Sequence, residues 1–89
     1  VKVVVDIEKE IMAVDGELHA DLEALLIEKG SQRENIWGIN IYPEVNSEDW
    51  IEFDSMINIK PALGNKTRDV DDETKKKKII EIVNKLFQK

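Results

Sequence analysis

Alternation of apolar and polar residues predicts β-strands over much of this chain. Residues 1–7 and 10–14 are rich in β-branched and apolar side chains at a spacing of two, and Glu8-Lys9 separates the two runs. The same period recurs over 36–42 and most clearly over 50–60, and each of these segments ends at a proline. This composition and period are typical of strands. We therefore predict a hairpin that turns at Glu8-Lys9 and further strands over 36–42 and 50–60.

The segment after Asp15-Gly16 fits two structures. Between 17 and 26, leucine and alanine alternate with polar or charged residues, which favours a strand, whereas the leucines at 18, 22, 25 and 26 also form a helical stripe. Ala, Leu and Glu have high helix propensity, and Gly30 suits the end of a helix. Asp-Gly is a favoured two-residue hairpin turn that leads straight into a paired strand. We favour the strand over 18–29, with the helix as the open alternative.

The last element is predicted to be a helix with Asp72 as its N-cap. Its apolar residues recur at helical spacing and form one stripe: Ile79, Ile80, Val83, Leu86 and Phe87. The elements together predict an α+β fold, an antiparallel β-meander of about five strands with this amphipathic C-terminal helix packed on one face. The length of 89 residues and 10.3 kDa fits a single domain over 1–89.

Composition narrows the classes of function. Thirteen Lys and Arg against nineteen Asp and Glu give a net charge of −6, which disfavours nucleic acid as a partner because phosphate neutralisation needs a basic face. The chain has no cysteine and one histidine, which excludes thiolate chemistry and sites built from several His ligands of one chain. No apolar run approaches the roughly 18 residues of a membrane span, and we recognise no signal peptide. We expect a soluble, cytoplasmic domain with no membrane partner and no cofactor.

One side of the predicted sheet gathers the candidate chemistry. Strand parity places apolar residues toward the C-terminal helix and a polar set on the reverse face. This candidate site comprises His19, Asp21, Asn40, Asp54, Asn58 and Lys60. His19-x-Asp21 has the residue types for a divalent metal or for acid–base chemistry, although a solvated sheet face explains the same pattern more simply. In a helix Asp21 would leave the side that carries His19.

A second candidate lies in the loop over 60–68, which concentrates positive charge in an acidic chain. Basic side chains and backbone N–H groups near its glycine suit a phosphate or carboxylate. The residues of this candidate anion-binding loop are Lys60, Gly64, Asn65, Lys66 and Arg68. The spacing differs from that of a P-loop, and a turn whose cations balance neighbouring acids is the simpler reading.

Three ordered blocks carry a resemblance to a known family. They are Gly-Glu-Leu-His-Ala-Asp at 16–21, Gly-Ser at 30–31 leading to Ile-Trp-Gly-Ile-Asn at 36–40, and Ile-Asn-Ile-Lys-Pro at 57–61 with Gly-Asn-Lys at 64–66. Together they resemble a family of short bacterial and archaeal proteins classed only as a domain of unknown function. The resemblance implies no activity. It also implies a further segment before the equivalent of Val1.

These observations favour a small binding or interaction domain over an enzyme. The predicted sheet has free edges and a polar face but no complete catalytic set. We therefore expect a self-associating module, forming a homo-oligomer such as a dimer, that is able to take a small anionic ligand. The alternative is a small metal-dependent or acid–base enzyme that uses the polar face around His19 and Asp21.

Overall fold

A four-stranded antiparallel sheet with a helix on each face forms the fold in the computed structural model, which describes residues 1–87. The strands and helices are β1 (Lys2–Asp6), β2 (Ile11–Val14), α1 (His19–Glu28), β3 (Ile36–Ile41), β4 (Ile51–Glu52) and α2 (Glu73–Leu86). The strand order is β2-β1-β3-β4. The predicted α+β class and C-terminal helix are confirmed. The sheet has four strands rather than about five, and β3 pairs with β1, so the order departs from that of a meander.

An Asx turn closes the hairpin between β1 and β2, which confirms the predicted pairing of these strands. Asp6 ends β1, and its Oδ1 accepts hydrogen bonds from the backbone N–H groups of Glu8 at 2.9 Å and Lys9 at 3.0 Å. Glu10 follows with a φ of 57° and donates its N–H to the Asp6 carbonyl. The aspartate before the Glu-Lys pair, rather than the pair itself, is therefore the local signal for this turn.

The strand favoured over 18–29 is wrong, because residues 19–28 form helix α1. Asp15 has the left-handed φ of 68° expected at an Asp-Gly turn, but the chain leaves the sheet there instead of pairing back. Leu22 and Leu26, one turn apart, are buried against the sheet. Gly16 passes so close to this helix that a Cβ at its position would lie 2.7 Å from Leu22 Cδ2. Helical burial of this pair therefore prevails over the period-two pattern, which would also place Leu18, Ala20 and Ala24 on the buried face, although all three are exposed.

The long strand predicted over 50–60 is also shorter than expected, since β4 contains only Ile51 and Glu52. Ser55 ends the extended chain: its hydroxyl accepts a hydrogen bond from the Ile57 N–H at 3.3 Å and caps a 3-10 turn over Met56–Asn58. Serine in this role competes with the sheet for the backbone. The alternation beyond Glu52 therefore belongs to turns rather than to a strand.

The Asn58 side chain takes the place of the missing strand beside β3. The Gly38 N–H donates to Asn58 Oδ1 at 2.7 Å, and Asn58 Nδ2 donates to the Gly38 carbonyl at 2.9 Å. An amide side chain offers the same donor and acceptor as a peptide group. Gly38 is needed at this point, because a Cβ there would lie 2.7 Å from Ser55 Cβ and Oγ. The backbone N–H and carbonyl of Gly38 are thus hydrogen-bonded at this edge of β3 without a paired strand.

Two apolar clusters fix the helices on opposite faces of the sheet. Helix α2 covers the larger cluster, which contains Val3, Val5, Trp37, Ile39, Ile41, Trp50, Ile51, Val70, Ile79, Ile82 and Val83. Helix α1 covers the smaller cluster of Val4, Ala13, Leu22, Leu26 and Ile36. Consecutive residues of a strand point to opposite faces, so β1 and β3 supply both clusters. The face that parity left open to solvent is therefore partly covered by α1.

Helix α2 begins as the sequence predicts. Asp72 is its N-cap, and the carboxylate accepts hydrogen bonds from the N–H groups of Thr74 at 2.8 Å and Lys75 at 3.2 Å. This cap satisfies donors that a helix start leaves unpaired. The apolar stripe is buried at Ile79 and Val83, whereas Leu86 is exposed.

Candidate functional site

A pocket of about 370 Å³ lies where α1 begins beside β1 and β3. The turn segment after β4 also lines it. We call it the His19 pocket, and its lining residues are Lys2, Leu18, His19, Ala20, Asn40, Asp54, Ser55, Met56, Ile57 and Arg68. Its volume falls within the range of small-molecule sites in proteins.

His19 is held in one tautomer by the sheet. Its side chain is 9% exposed, and its Nε2 lies 2.7 Å from the Ile39 carbonyl oxygen. A carbonyl only accepts, so Nε2 carries the proton and the neutral ring has its lone pair on Nδ1. Burial lowers the pKa of His19, and the nearby Lys2 and Arg68 lower it further against the opposing effects of the Ile39 hydrogen bond and Asp54. The neutral imidazole is therefore the form that this site favours.

Helix α1 presents unpaired backbone donors at the same place. Its N-cap residue is Leu18, which has no side-chain oxygen, and no side chain caps the helix. The Leu18 carbonyl accepts from Asp21 and Leu22, while the N–H groups of His19 and Ala20 have no acceptor within residues 1–87. Donors at a helix start carry a partial positive charge and attract anions.

A free cation stands next to these donors. Lys2 of β1 pairs in register with Asn40 of β3, so both side chains point to the α1 face of the sheet. Lys2 forms no ion pair with any residue that the structure describes, although it lines the pocket. Asn40 donates through Nδ2 to Glu52 Oε1 at 2.9 Å and to the Asp54 carbonyl at 3.3 Å. Its amide therefore ties the sheet to the segment after β4.

The far wall of the pocket carries a close ion pair. Arg68 Nε donates to Asp54 Oδ1 at 2.6 Å, and both side chains are about half exposed. Two cations, Lys2 and Arg68, thus face one carboxylate, which leaves one positive charge among the lining residues when His19 is neutral. Glu52 lies beside Asn40 outside the lining set, and the Tyr42 hydroxyl donates to it at 3.1 Å.

The structure brings together half of the predicted polar-face site. His19, Asn40 and Asp54 line one pocket, and Arg68 of the predicted anion-binding loop joins them. Asp21 is exposed on α1 and does not line the pocket, because two positions along a helix are about 200° apart around its axis.

Asn58 is fully buried and is a structural residue. Besides its bonds to Gly38, its Nδ2 donates to the Arg68 carbonyl at 2.8 Å, which fixes the backbone of a pocket residue. Its predicted place on the open polar face is therefore wrong. The asparagine holds the wall of the pocket in position instead of facing a ligand.

Lys60 lies elsewhere, over Trp37. Its Nζ is 5.2 Å from the indole centroid and donates to the Ile57 carbonyl at 3.0 Å, and Lys75 Nζ lies at the same distance from the ring. Burial lowers the pKa of Lys60, an effect that Glu23 opposes. Both cation–π contacts help to cover a buried tryptophan, so Lys60 belongs to the packing around Trp37 and not to the His19 pocket.

The loop over 60–68 uses its backbone internally. Gly64 has a φ of 81° and donates its N–H to the Pro61 carbonyl, and the Asn65 N–H donates to the Lys60 carbonyl. Asn65 is buried, and its Nδ2 donates to the carbonyls of Asn58 and Asp69 at 2.8 Å. The N–H groups expected to be free for an anion are therefore occupied. Lys66 is exposed and lies outside the His19 pocket.

Sequence reasoning missed six of the residues that line the pocket, among them Lys2, Leu18 and Met56. The signal for Leu18 was available, because a leucine directly before a helix leaves the first donors uncapped. The position of Lys2 depends on the pairing of β1 with β3, which periodicity does not provide. Met56 was assigned to a strand that the structure replaces with a turn.

Within residues 1–87, no group of three or more His, Asp or Glu side chains is arranged to hold a metal ion. Among those residues, neither helix has the length and apolar character needed to cross a bilayer.

The fold and the pocket define a small α+β domain with a polar cleft between one sheet face and the start of a helix. The chain belongs to the family described as "Protein of unknown function (DUF5674)", whose profile matches residues 1–86. This match confirms the predicted resemblance to a family of unknown function. Comparisons with curated proteins and with solved structures gave no match.

Proposed function

We propose that this chain is a ligand-binding domain that takes a small anion in the His19 pocket. The observation that carries the proposal is the convergence of three kinds of unpaired donor on one cavity. These are the uncapped N–H groups at the start of α1, the Lys2 ammonium and the outer nitrogens of the Arg68 guanidinium. Backbone donors at a helix start combined with nearby cations are a recurring arrangement for anion binding.

Binding fits these contacts better than acid–base catalysis does. The acid–base alternative relied on His19 beside Asp21, and α1 carries Asp21 away from the pocket. The remaining carboxylate, Asp54, is engaged by Arg68 at 2.6 Å. The unprotonated Nδ1 of His19 adds an acceptor to the lining residues, which suits a ligand that also carries a hydroxyl or an amide N–H.

A replacement at the N-cap of α1 tests the proposal, because it should raise the stability of the domain and abolish the binding of an anion. In Leu18→Asp, the new carboxylate would accept from the first N–H groups of α1 and add negative charge beside Lys2. We expect the free energy of unfolding to rise by about 1 kcal/mol, as for other N-caps. We expect acetate, followed by ¹H–¹⁵N NMR, to shift the His19 and Ala20 amides in the wild type but not in the variant.

A matched pair of lysine variants separates the site from general charge. Lys2→Gln removes the free cation of the pocket, and we expect it to weaken acetate binding several-fold. Lys66→Gln makes the same change at an exposed residue outside the pocket and should leave binding unchanged. If acetate leaves the His19 and Ala20 amides unmoved in the wild type, the proposal fails. It also fails if both lysine variants have equal effects.

We also propose that the domain self-associates through strand β2. In the sheet over residues 1–87, β2 is an edge strand of four residues, and its Ile11 and Val14 side chains are each more than a third exposed. An unpaired edge flanked by exposed apolar side chains is a template for pairing with a second copy. A lysine on such an edge opposes pairing.

Light scattering over a concentration series tests this second proposal. We expect a dimer in the wild type and a shift toward monomer in Val14→Lys, with both proteins giving the same far-ultraviolet circular dichroism. A wild type that stays monomeric up to millimolar concentration would contradict it.

A further inference from the structure

We infer that the anion taken by the His19 pocket is a small monocarboxylate with a short apolar tail. This inference rests on the proposed anion-binding function and names the class of ligand. It depends on two features of the pocket, which are the charge of its lining and the exposed apolar side chains in that lining.

The charge of the lining matches a single negative charge. Asp54 neutralises one of the two cations, so Lys2 is the unmatched charge when His19 is neutral. A dianion such as hydrogen phosphate would bring a second negative charge close to Asp54, and Glu52 lies just beyond Asn40. Like charges that lie close together repel each other. A monoanion is therefore the better electrostatic match.

The pocket has more room and more apolar surface than a lone anion needs. The cleft of about 370 Å³ lies within the size range of small-molecule sites. Leu18 and Met56 are 59% and 69% exposed and both line the pocket, one directly before α1 and the other on the turn after β4. Single exposed apolar residues are ordinary, but these two line the same cleft and would be covered by a tail.

The arrangement therefore predicts how the ligand lies. Its carboxylate accepts hydrogen bonds from the His19 and Ala20 N–H groups and faces Lys2. Its tail runs between Leu18 and Met56 toward the mouth. Each methylene that is fully removed from water should tighten binding about fourfold, and a half-covered one about twofold.

A homologous series of probes tests the inference. Acetate, butyrate, hexanoate, inorganic phosphate and the neutral hexanamide are titrated separately at pH 7.5 and constant ionic strength. Dissociation constants come from the shifts of the His19 and Ala20 amides. We expect hexanoate to bind at least about tenfold more tightly than acetate, which follows from about twofold per added methylene over four methylenes. We expect phosphate and hexanamide to bind more weakly than hexanoate.

A methionine variant isolates the contribution of the tail. Met56→Gln keeps the length of an exposed side chain but makes it polar, so hexanoate should lose most of its advantage while acetate is unaffected. Leu63→Gln is the matched control, because Leu63 is exposed on a 3-10 turn outside the pocket. It should leave the whole series unchanged.

The outcomes distinguish this inference from the function on which it rests. If acetate and hexanoate bind equally, or phosphate binds as tightly as hexanoate, the inference is overturned while anion binding stands. If none of the anions moves the His19 and Ala20 amides, anion binding itself fails. If hexanamide binds as tightly as hexanoate, the carboxylate is not recognised and the inference is again overturned.

Discussion

Replacement of Asn58 is the most direct test of how this small sheet is held together. In Asn58→Ala the Gly38 N–H and the Gly38 carbonyl both lose their partner, because β4 pairs with β3 only at Asn40 and Ile41 and does not reach Gly38. The Arg68 carbonyl loses a bond but keeps the Ser55 N–H at 3.1 Å. Two buried groups are thus left unsatisfied.

The expected loss of stability follows from these two groups. An unsatisfied buried donor or acceptor costs about 1–3 kcal/mol, so the variant should lose about 4 kcal/mol. Domains of this length unfold with a free energy of about 4–13 kcal/mol. The change therefore removes a large share of the total. Urea unfolding followed by tryptophan fluorescence measures it, since Trp37 and Trp50 are both buried.

Asn58→Asp separates hydrogen bonding from packing, because it has nearly the same shape. The carboxylate still accepts from the Gly38 N–H but places its second oxygen against the carbonyls of Gly38 and Arg68. We expect a loss at pH 7 as large as for alanine, and a partial recovery at lower pH, where a protonated carboxyl donates. Asn46→Ala and Asn46→Asp are the controls at an exposed residue and should change stability by about 0.5 kcal/mol or less. A loss below about 1 kcal/mol in both Asn58 variants would refute the reasoning.

Three further predictions concern the cap, the glycine and the histidine. Asp72→Ala should cost about 1 kcal/mol and lower the melting temperature by about 4–8 °C, measured by circular dichroism. Gly38→Ala should cost about 1–3 kcal/mol in urea unfolding through its clash with Ser55, and adding Ser55→Gly should restore part of the loss; no recovery would locate the cause elsewhere. Burial lowers the pKa of His19 in the fold. The contribution of the neutral His19 side chain to the free energy of unfolding is therefore complete above the unfolded pKa of about 6.5, and it is lost as the pH falls below that value. Relative to His19→Gln, the wild type should therefore lose stability in urea from pH 7.5 to 5.5, and a constant difference would contradict the burial argument.

The terminal helix and the first hairpin were predictable because local signals and tertiary packing agree there. Asp72 is a favourable N-cap directly before the apolar stripe of α2, and no competing pattern overlaps it. The segment of α1 carried two patterns at once. Packing on the sheet favours the helix, because Leu22 and Leu26 are buried while Leu18, Ala20 and Ala24, which a strand would place on the same face, are exposed. That decision depends on contacts distant in sequence, which a local pattern does not contain.

In the candidate site too, local patterns predicted some positions, whereas contacts distant in sequence determined the others. Strand parity correctly placed Asn40 on the face opposite α2, because β3 is a true strand. His19 reached the same pocket by a different route, as the first residue of a helix that covers that face. Asn58 and Lys60 were misplaced because the predicted strand over 50–60 ends at Glu52. The position of Lys2 followed from a register between β1 and β3 that only the folded chain defines.

The unequal edges of the sheet set a limit on assembly. One boundary offers the four residues of β2, and the other offers only the two of β4, beyond which an asparagine side chain occupies the backbone of β3. Antiparallel joining of two β2 strands uses the same surface on both copies, so a two-fold axis relates them and the contact closes on itself. In the dimer that we propose, one edge of the sheet would be used and the other edge strand has only two residues, so the pair would not extend into a filament.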